Sequence, residues 1–200
     1  MPNQKPRFYI GLVGGPDMTT VKFASIESPL PNVGLTLEYR LSNHLRVSTG
    51  VLRSSKQYIA RRDDYDWGTN YGRVYQRNFE EVDGSCTVLD IPLNLRYAFV
   101  VHPQYELFGS IGLSSFFMQR EHYSYDYAEN NVPKAWSIEA VNQNRHLLSI
   151  LNLSFGYERS LNNHWSVQAE PYLKVPLTGV GTGKVKLTSA GVFLGVKYGF

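Results

Sequence analysis

Apolar and polar residues alternate with a period of two along most of this 200-residue chain. For example, apolar Val33, Leu35 and Leu37 are separated by Gly34 and Thr36. Successive side chains of a β-strand point to opposite faces, so each such segment has one apolar and one polar face. The pattern predicts eight strands, at about residues 7–14, 33–41, 45–55, 88–100, 105–117, 147–160, 164–177 and 187–200. Helical spacing is nearly absent, which indicates an all-β protein.

The connections between the predicted strands alternate between short and long. The short ones are tight turns at residues 42–44, 101–104 and 162–163. The long ones are residues 15–32, 56–87, 118–146 and 178–186. Short turns at one end and long loops at the other predict an antiparallel up-and-down barrel of eight strands. A β-sandwich does not account for this alternation.

The polar face of the predicted strands is rich in small residues, such as Gly34, Gly50, Gly112, Gly156 and Ser110. An eight-stranded barrel has an interior just wide enough for side chains, so small residues fit inside it. The apolar face then points toward lipid, and transmembrane strands need only about ten residues each. The favoured fold is therefore a transmembrane barrel in the bacterial outer membrane. The alternative is a soluble lipocalin-like barrel, with the apolar face inside around a small apolar ligand.

Five acidic and five basic residues lie on the same polar face of the predicted strands. They are Glu38, Asp90, Glu106, Glu158 and Glu170, and Arg40, Arg46, Arg96, Lys174 and Lys197. Buried charges are costly unless they are paired and hydrogen-bonded. A balanced set predicts ion pairs inside the barrel, in one network or in several, and a lumen that is plugged by side chains.

Charge and composition exclude several classes of function. The 20 Lys and Arg residues against 17 Asp and Glu give a formal charge of only +3, and no dense basic stripe is present. We therefore expect no nucleic-acid partner. Cys86 is the only cysteine, and the 5 histidines lack metal-ligand spacing, so we expect no disulfide within the chain, no metal and no other cofactor.

The last predicted strand places Val192, Leu194, Val196, Tyr198 and Phe200 on one face. A terminal Phe with an aromatic residue two positions earlier resembles the C-terminal signature of bacterial outer-membrane barrels. In that group the barrel assembly machinery recognises this strand. The resemblance implies that Tyr198 and Phe200 form the assembly signal and that the assembly machinery is a partner.

Three further stretches resemble the small PorT-like outer-membrane barrel domains of Bacteroidota. They are residues 7–11 with 15–17, residues 81–86 ahead of 89–97, and residues 170–177. Within that group the chain is most similar to the C-terminal barrel of dual membrane-spanning anti-sigma factors. In those proteins a cytoplasmic sigma-binding segment, an inner-membrane helix and a periplasmic linker precede the barrel. The resemblance implies a membrane anchor or sensor of envelope state, with a sigma factor as partner only through that N-terminal segment. Residues 1–6 are expected to be a linker or an expression remnant, and residues 7–200 the barrel domain.

His164, Ser166 and Glu170 resemble the catalytic residues of barrel lipid A deacylases. In such enzymes a base activates a serine nucleophile. His164, however, follows the short turn at residues 162–163, which we expect at the periplasmic rim, whereas these enzymes act at the outer leaflet. We therefore expect no catalytic residues and no enzyme activity. An outer-membrane lipid-modifying enzyme remains an alternative.

Two long connections combine aromatic residues with charge. The residues concerned are Arg61, Arg62, Tyr65, Trp67, Tyr71 and Tyr75 in the first, and Tyr123, Tyr125 and Tyr127 in the second. Exposed aromatic and arginine side chains are enriched at recognition surfaces. The alternative is that these residues extend the strands beyond the membrane as a solvated β-ribbon, since the alternation continues through residues 123–127. Neither interpretation identifies a ligand.

Overall fold

The computed structural model describes residues 6–21, 28–61, 64, 79–129, 132–181 and 184–200. These residues contain nine β-strands: β1 (Phe8–Val21), β2 (Leu30–Arg40), β3 (Leu45–Arg61), β4 (Phe79–Val101), β5 (Tyr105–Glu129), β6 (Val132–Val141), β7 (Arg145–Ser160), β8 (Trp165–Pro176) and β9 (Leu187–Gly199). No helix in the described residues is long and apolar enough to cross a membrane.

Eight of these strands close into an antiparallel barrel. β1 to β5 form a continuous series in which each strand pairs with the one before it in the chain. β5 also pairs with β7, β7 pairs with β8, and β8 pairs with β9. The barrel closes between β1 and β9, where Tyr9 lies opposite Gly199 and Asp17 lies opposite Gly191. Closure gives each of the eight strands a hydrogen-bonded neighbour on both sides. The predicted eight-stranded up-and-down barrel is confirmed.

The strand β6 lies outside this barrel and was not among the predicted strands. It pairs with the outer part of β5, with Arg120 opposite Val141. β4 pairs with the same part of β5 on its other side, with Phe79 opposite Tyr127. The connection predicted at residues 118–146 is thus largely a β-ribbon.

The wall of the barrel changes its polarity part-way along β4. In the half of β4 near its end, Leu93 is exposed on the outer wall and Arg96 is buried inside. In the half near its beginning, Val82 is buried inside and Asp83 is exposed. The prediction of a loop over residues 56–87 was wrong for both ends of that segment, because the apolar side chains change faces there and the pattern is interrupted. The part of the wall whose outer face is apolar is named the membrane-type part.

The two ends of the barrel differ. Tight turns join β2 to β3, β4 to β5 and β7 to β8 at one end, named here the short-turn end. In the turn before β8, the Asn162 side-chain oxygen accepts hydrogen bonds from the backbone N–H groups of His164 and Trp165. β1 begins and β9 ends at this same end, where Phe8 and Phe200 are joined by two backbone hydrogen bonds. The opposite end carries the long connections and is named the long-loop end.

Candidate functional site

The interior of the barrel holds the charges that the sequence placed on the polar face. Nine of the ten are buried, and Glu170 is half-buried. Glu170 accepts hydrogen bonds from Ser154 at 2.6 Å and from Gln168 at 3.2 Å, and it has no ion pair among the described residues. The largest group, named the lower charge cluster, occupies the short-turn half and contains Glu38, Arg40, Arg46, Arg96, Glu106, Glu158 and Lys197.

Arg46 is the centre of the lower charge cluster. Its guanidinium nitrogens lie 2.5 Å from a Glu106 oxygen, 3.2 Å from a Glu158 oxygen and 3.4 Å from a Glu38 oxygen. These carboxylates stand on β5, β7 and β2, so one side chain of β3 joins three other strands across the interior. Hydrogen bonds between charged groups are about twice as strong as neutral ones. The cluster therefore connects strands that are not neighbours in the wall.

Arg96 and Lys197 contribute to the cluster from β4 and β9. Arg96 Nη2 lies 2.6 Å from Glu158 Oε2, and its guanidinium carbon is 3.3 Å from the centroid of the Phe108 ring. Lys197 pairs with Glu38, and its Nζ lies 3.1 Å from Glu158 Oε2. A desolvated cation over an aromatic face gains additional stabilisation. Glu158 therefore has several cationic partners, and no charge of the cluster is isolated.

Two smaller groups of charges lie closer to the long-loop end. Asp90 is paired with Lys174. Asp17 is paired with Lys56 at 2.6 Å, and both form hydrogen bonds with serine hydroxyls. Asp17 and Lys56 were not predicted, because both lie in segments that the sequence assigned to long connections. Lys56 continues the parity of Arg46 along β3, and this was the signal that could have identified it.

The interior near the long-loop end is mostly apolar, although it also holds the buried carboxylate of Glu121. It is filled by buried side chains, named the upper apolar core: Val21, Tyr58, Ala60, Val82, Cys86, Val88, Phe116, Met118, Tyr123, Ile150, Val180, Val185 and Leu187. The connection between β8 and β9 contributes to it, since Val180 and Val185 are only 1% and 0% exposed. These two residues face each other through two backbone hydrogen bonds, and the Gly181 N–H donates to His146 Nε2 at 2.9 Å. This connection therefore folds into the mouth of the barrel.

Cys86 belongs to the upper apolar core and lies beyond the membrane-type part of β4. Burial raises the pKa of its thiol to about 12. The thiol is therefore protonated at neutral pH, which makes it a poor nucleophile and a poor metal ligand. In the part of the chain that the structure describes, no group of three or more His, Cys, Asp or Glu side chains could hold a metal ion.

Two cavities adjoin the lower charge cluster. One, of about 60 Å³, lies inside the barrel between Glu38, Asn152 and Lys174. It has room for a few water molecules at most. The other, of about 600 Å³, opens at the short-turn end and is named the short-turn vestibule. A groove of about 630 Å³ lies on the apolar outer wall, beside Gly14 and Leu194.

The structure does not bring His164 and Ser166 together as a catalytic pair. His164 lies at the rim, where its ring stacks on Tyr198 with centroids 5.5 Å apart and its Nδ1 is 2.9 Å from the Gly199 carbonyl oxygen. Ser166 is buried in the interior. Among the described residues, no hydrogen bond joins His164 to Ser166 or to Glu170.

Aromatic side chains surround the outer wall at the short-turn end. Tyr198 and Phe200 are 39% and 57% exposed there. Phe8 contacts Phe200 at 6.0 Å and Tyr39 at 4.8 Å between ring centroids, and Trp165 meets Tyr198 edge-on at 5.1 Å. Membrane barrels carry such girdles where their wall meets the lipid headgroups. The proposed assembly residues therefore lie on the lipid-facing side of the closing strand.

The residues predicted as a loop recognition surface lie in different environments. Arg61 is exposed at the end of β3, and Tyr125 and Tyr127 lie on the outer part of β5. The prediction for Tyr123 was wrong: it is only 3% exposed, and its hydroxyl donates to a Glu121 oxygen at 2.5 Å. Tyr123 faces inward because the inner face of the wall is apolar at this height. Outside the described residues lie Arg62, Tyr65, Trp67, Tyr71 and Tyr75.

The chain matches the family model of the outer membrane protein beta-barrel domain over residues 2–200. The chain belongs to this family. This outer-membrane barrel is located in the bacterial outer membrane, where the apolar membrane-type part of its wall faces lipid. The soluble alternative is wrong, because it places the apolar face inside. Four leucines of that face are instead between 43% and 59% exposed: Leu35, Leu37, Leu93 and Leu95.

Solved structures of other small outer-membrane barrels have the same fold. Neisserial surface protein A is 13% identical to this chain, with a TM-score of 0.57, and the match covers 96% of this chain and 97% of that one. Ail, the attachment invasion locus protein of Yersinia pestis, is 12% identical, with a TM-score of 0.51, and the match covers 98% and 100%. Identities this low demonstrate the shared fold alone. No curated protein matches the chain.

Proposed function

We propose that this outer-membrane barrel is a closed membrane anchor with a plugged lumen rather than a pore. The main support is the lower charge cluster, since four cations and three carboxylates joined across the interior occupy the space that a solute would need. The upper apolar core, with Val180 and Val185 folded into the mouth, supports a second obstruction at the other end. Eight strands leave little room beyond their own side chains.

Single-channel recording in planar lipid bilayers tests the plug. We expect the purified barrel to give no conductance above the bilayer background. The double variant Arg46→Ala and Glu158→Ala, which empties the middle of the interior, should conduct ions if it keeps the heat-modifiable gel mobility of a folded barrel. The matched control is Arg159→Ala with Glu139→Ala, two exposed residues. Steady conductance by the unmodified barrel would contradict the plug.

We further propose that the barrel is a sensor of envelope state in a longer protein, as the C-terminal part of a dual membrane-spanning anti-sigma factor. The support is the resemblance to PorT-like barrels of residues 7–11 with 15–17, residues 81–86 with 89–97, and residues 170–177. In this arrangement the short-turn end, where β1 begins, faces the periplasm, and a linker leads to an inner-membrane helix and a sigma-binding segment. The barrel assembly machinery acts on β9 through Tyr198 and Phe200.

A transcription reporter in cells that carry the longer parent protein tests the sensing role. Deletion of the barrel should change the output of the sigma factor, provided that the N-terminal segment is still produced at its normal level. Unchanged transcription after this deletion would contradict the sensing role and leave the anchor proposal standing.

We propose no enzymatic role for the barrel. The support is the separation of His164, on the rim, from the buried Ser166. A lipid A modification assay should give no product with either the unmodified barrel or His164→Ala. Product that forms with the unmodified barrel and disappears in the variant would contradict this proposal.

A further inference from the structure

The short-turn vestibule is a cavity of about 600 Å³ that leads from the short-turn end to the lower charge cluster. Its sides are formed by the turns before β5 and β8, including His102 and Asn163. Its inner end is formed by charged residues, among them Arg40 and Glu106. A concave space of this size with convergent polar groups is typical of a small-molecule site.

Arg40 is the least neutralised cation at this inner end. Its only carboxylate contact within the described residues is with Glu106, at 3.6 Å. Glu106 is also bound at 2.5 Å by Arg46, which takes the closer position. The lower charge cluster contains four cations, Arg40, Arg46, Arg96 and Lys197, and three carboxylates, Glu38, Glu106 and Glu158. The cluster therefore carries an excess positive charge, and Arg40 is the cation in it that lies farthest from its nearest carboxylate.

Three polar atoms beside the vestibule have no hydrogen-bond partner among the described residues. They are Nε and Nη1 of Arg40 and the hydroxyl oxygen of Ser166. Both residues line the vestibule and are more than nine-tenths buried, at 8% and 5% exposure. The third nitrogen of Arg40 donates to the Tyr9 hydroxyl at 2.6 Å. Leaving buried donors unpaired destabilises a protein, and more strongly when the groups are charged.

We propose that the short-turn vestibule binds a small oxyanion, a carboxylate or a phosphate group. The anion neutralises Arg40 and accepts hydrogen bonds from its free N–H groups and from the Ser166 hydroxyl. Guanidinium groups pair well with the oxygens of both kinds of anion. The unpaired nitrogens have almost no surface open to water. Anion binding as proposed therefore requires the Arg40 side chain to turn toward the vestibule. The proposal does not depend on the sensing role.

Nuclear magnetic resonance of the refolded barrel in detergent micelles tests this site. The arginine Nε–H signals of ¹⁵N-labelled protein are followed during titration with sodium acetate, with inorganic phosphate, or with sodium chloride at the same ionic strength. The Arg40 signal should shift and saturate with acetate or phosphate, at a concentration at least about tenfold below any effect of chloride, because each hydrogen bond to a charged group adds about 1.5–3 kcal/mol. The stronger of the two anions identifies the carboxylate or the phosphate class as the natural ligand.

Three variants make the assignment specific. In the variants the affinity is read from the Nε–H signal of Arg46, which also lines the vestibule and is kept in all of them. Arg40→Gln should weaken anion affinity by about tenfold or more and Ser166→Ala by a few-fold, whereas Arg159→Gln, an exposed arginine on the outer side of β7, should leave it unchanged. If Arg40→Gln does not fold, Arg40→Lys and Ser166→Ala provide the same comparison. The proposal is overturned if the Arg40 signal does not saturate, if chloride acts as strongly as the oxyanions, or if affinity survives in the Arg40 and Ser166 variants.

Discussion

Arg46 on β3 and Glu158 on β7 meet across the interior of the barrel, with Arg46 Nη1 3.2 Å from Glu158 Oε1. The two residues are 112 positions apart in the chain, and their strands are not neighbours in the wall. Their contact therefore forms only when the barrel closes. Because both charges are buried, the barrel can close only if they are paired, unlike the charges of an exposed salt bridge.

Replacing Arg96 by leucine should destabilise the barrel. Arg96→Leu removes the 2.6 Å contact to Glu158, the shortest ion pair of that buried carboxylate, and leaves it only the longer contacts to Arg46 and Lys197, at 3.2 and 3.1 Å. We expect the free energy of unfolding to fall by about 3–5 kcal/mol, measured by urea titration in lipid vesicles. The exposed Arg159 supplies the control, since Arg159→Leu should change it by about 0.5 kcal/mol or less. Equal effects of the two substitutions would contradict the ion-paired interior.

Two glutamates of the interior should respond differently to the same substitution. Glu158→Gln removes the charge that faces Arg96 and Lys197, and should cost about 3 kcal/mol or more in unfolding free energy. Glu170→Gln keeps an oxygen acceptor for Ser154 and breaks no ion pair among the described residues, so it should cost about 1 kcal/mol or less. Urea titration of both variants in one lipid checks the difference, and a larger loss at Glu170 would count against the described cluster.

Gly156 has no space for a side chain. A Cβ atom added there would lie 2.1 Å from the tip of the Phe108 ring, which is completely buried and covered by Arg96. Gly156→Ala should therefore cost about 1–3 kcal/mol in unfolding free energy. A Cβ added at Gly109 meets no atom closer than 3.7 Å, so Gly109→Ala is the matched control. A neutral effect of Gly156→Ala would show that the Phe108 ring is free to move.

The thiol of Cys86 should be unreactive in the folded barrel. Its pKa is about 12, against about 8.5 for an unfolded cysteine. Iodoacetamide at pH 8 should therefore modify Cys86 only after unfolding, which mass spectrometry can measure. Rapid modification of the folded barrel would contradict the burial of Cys86.

The same pKa difference predicts how stability depends on pH. The folded barrel releases the thiol proton less readily than the unfolded chain, so the contribution of Cys86 is complete below about pH 8.5 and decreases as the pH rises toward 12. The difference in unfolding free energy between the unmodified barrel and Cys86→Ala isolates this contribution from other alkaline groups. It should shrink between pH 8 and pH 10.5, and a difference that grows with pH would contradict the assignment.

The sequence was sufficient to predict those strands in which the apolar side chains stay on the same face along the whole strand. The prediction of 33–41 for β2 is close to its observed bounds, Leu30–Arg40, because the apolar side chains stay on one face. The start of β4 was missed by nine residues, since it begins at Phe79 rather than at residue 88. Beyond the membrane-type part, the wall has an apolar inner face and a polar outer face. The apolar side chains therefore change faces along the strand, and in the sequence this interruption of the alternation looks like a loop.

Strand parity was also sufficient to name residues that face the interior, but not to pair them. Which charges meet depends on strand tilt and on closure of the barrel, and a sequence pattern carries neither. Arg46 contacts Glu158 on a distant strand, whereas Glu170, of the same parity as other interior residues on β8, forms no ion pair among the described residues. The excess charge at Arg40 likewise becomes visible only from the geometry.

Electrophoretic mobility of the refolded chain, with and without detergent and with and without heating, tests the central claim most directly. That claim is that the apolar wall faces lipid while the charges pair inside. We predict a compact, fast-migrating band that disappears on boiling and that forms only when detergent or lipid is present. A chain that folds and remains monomeric in plain buffer would contradict this assignment of the two faces.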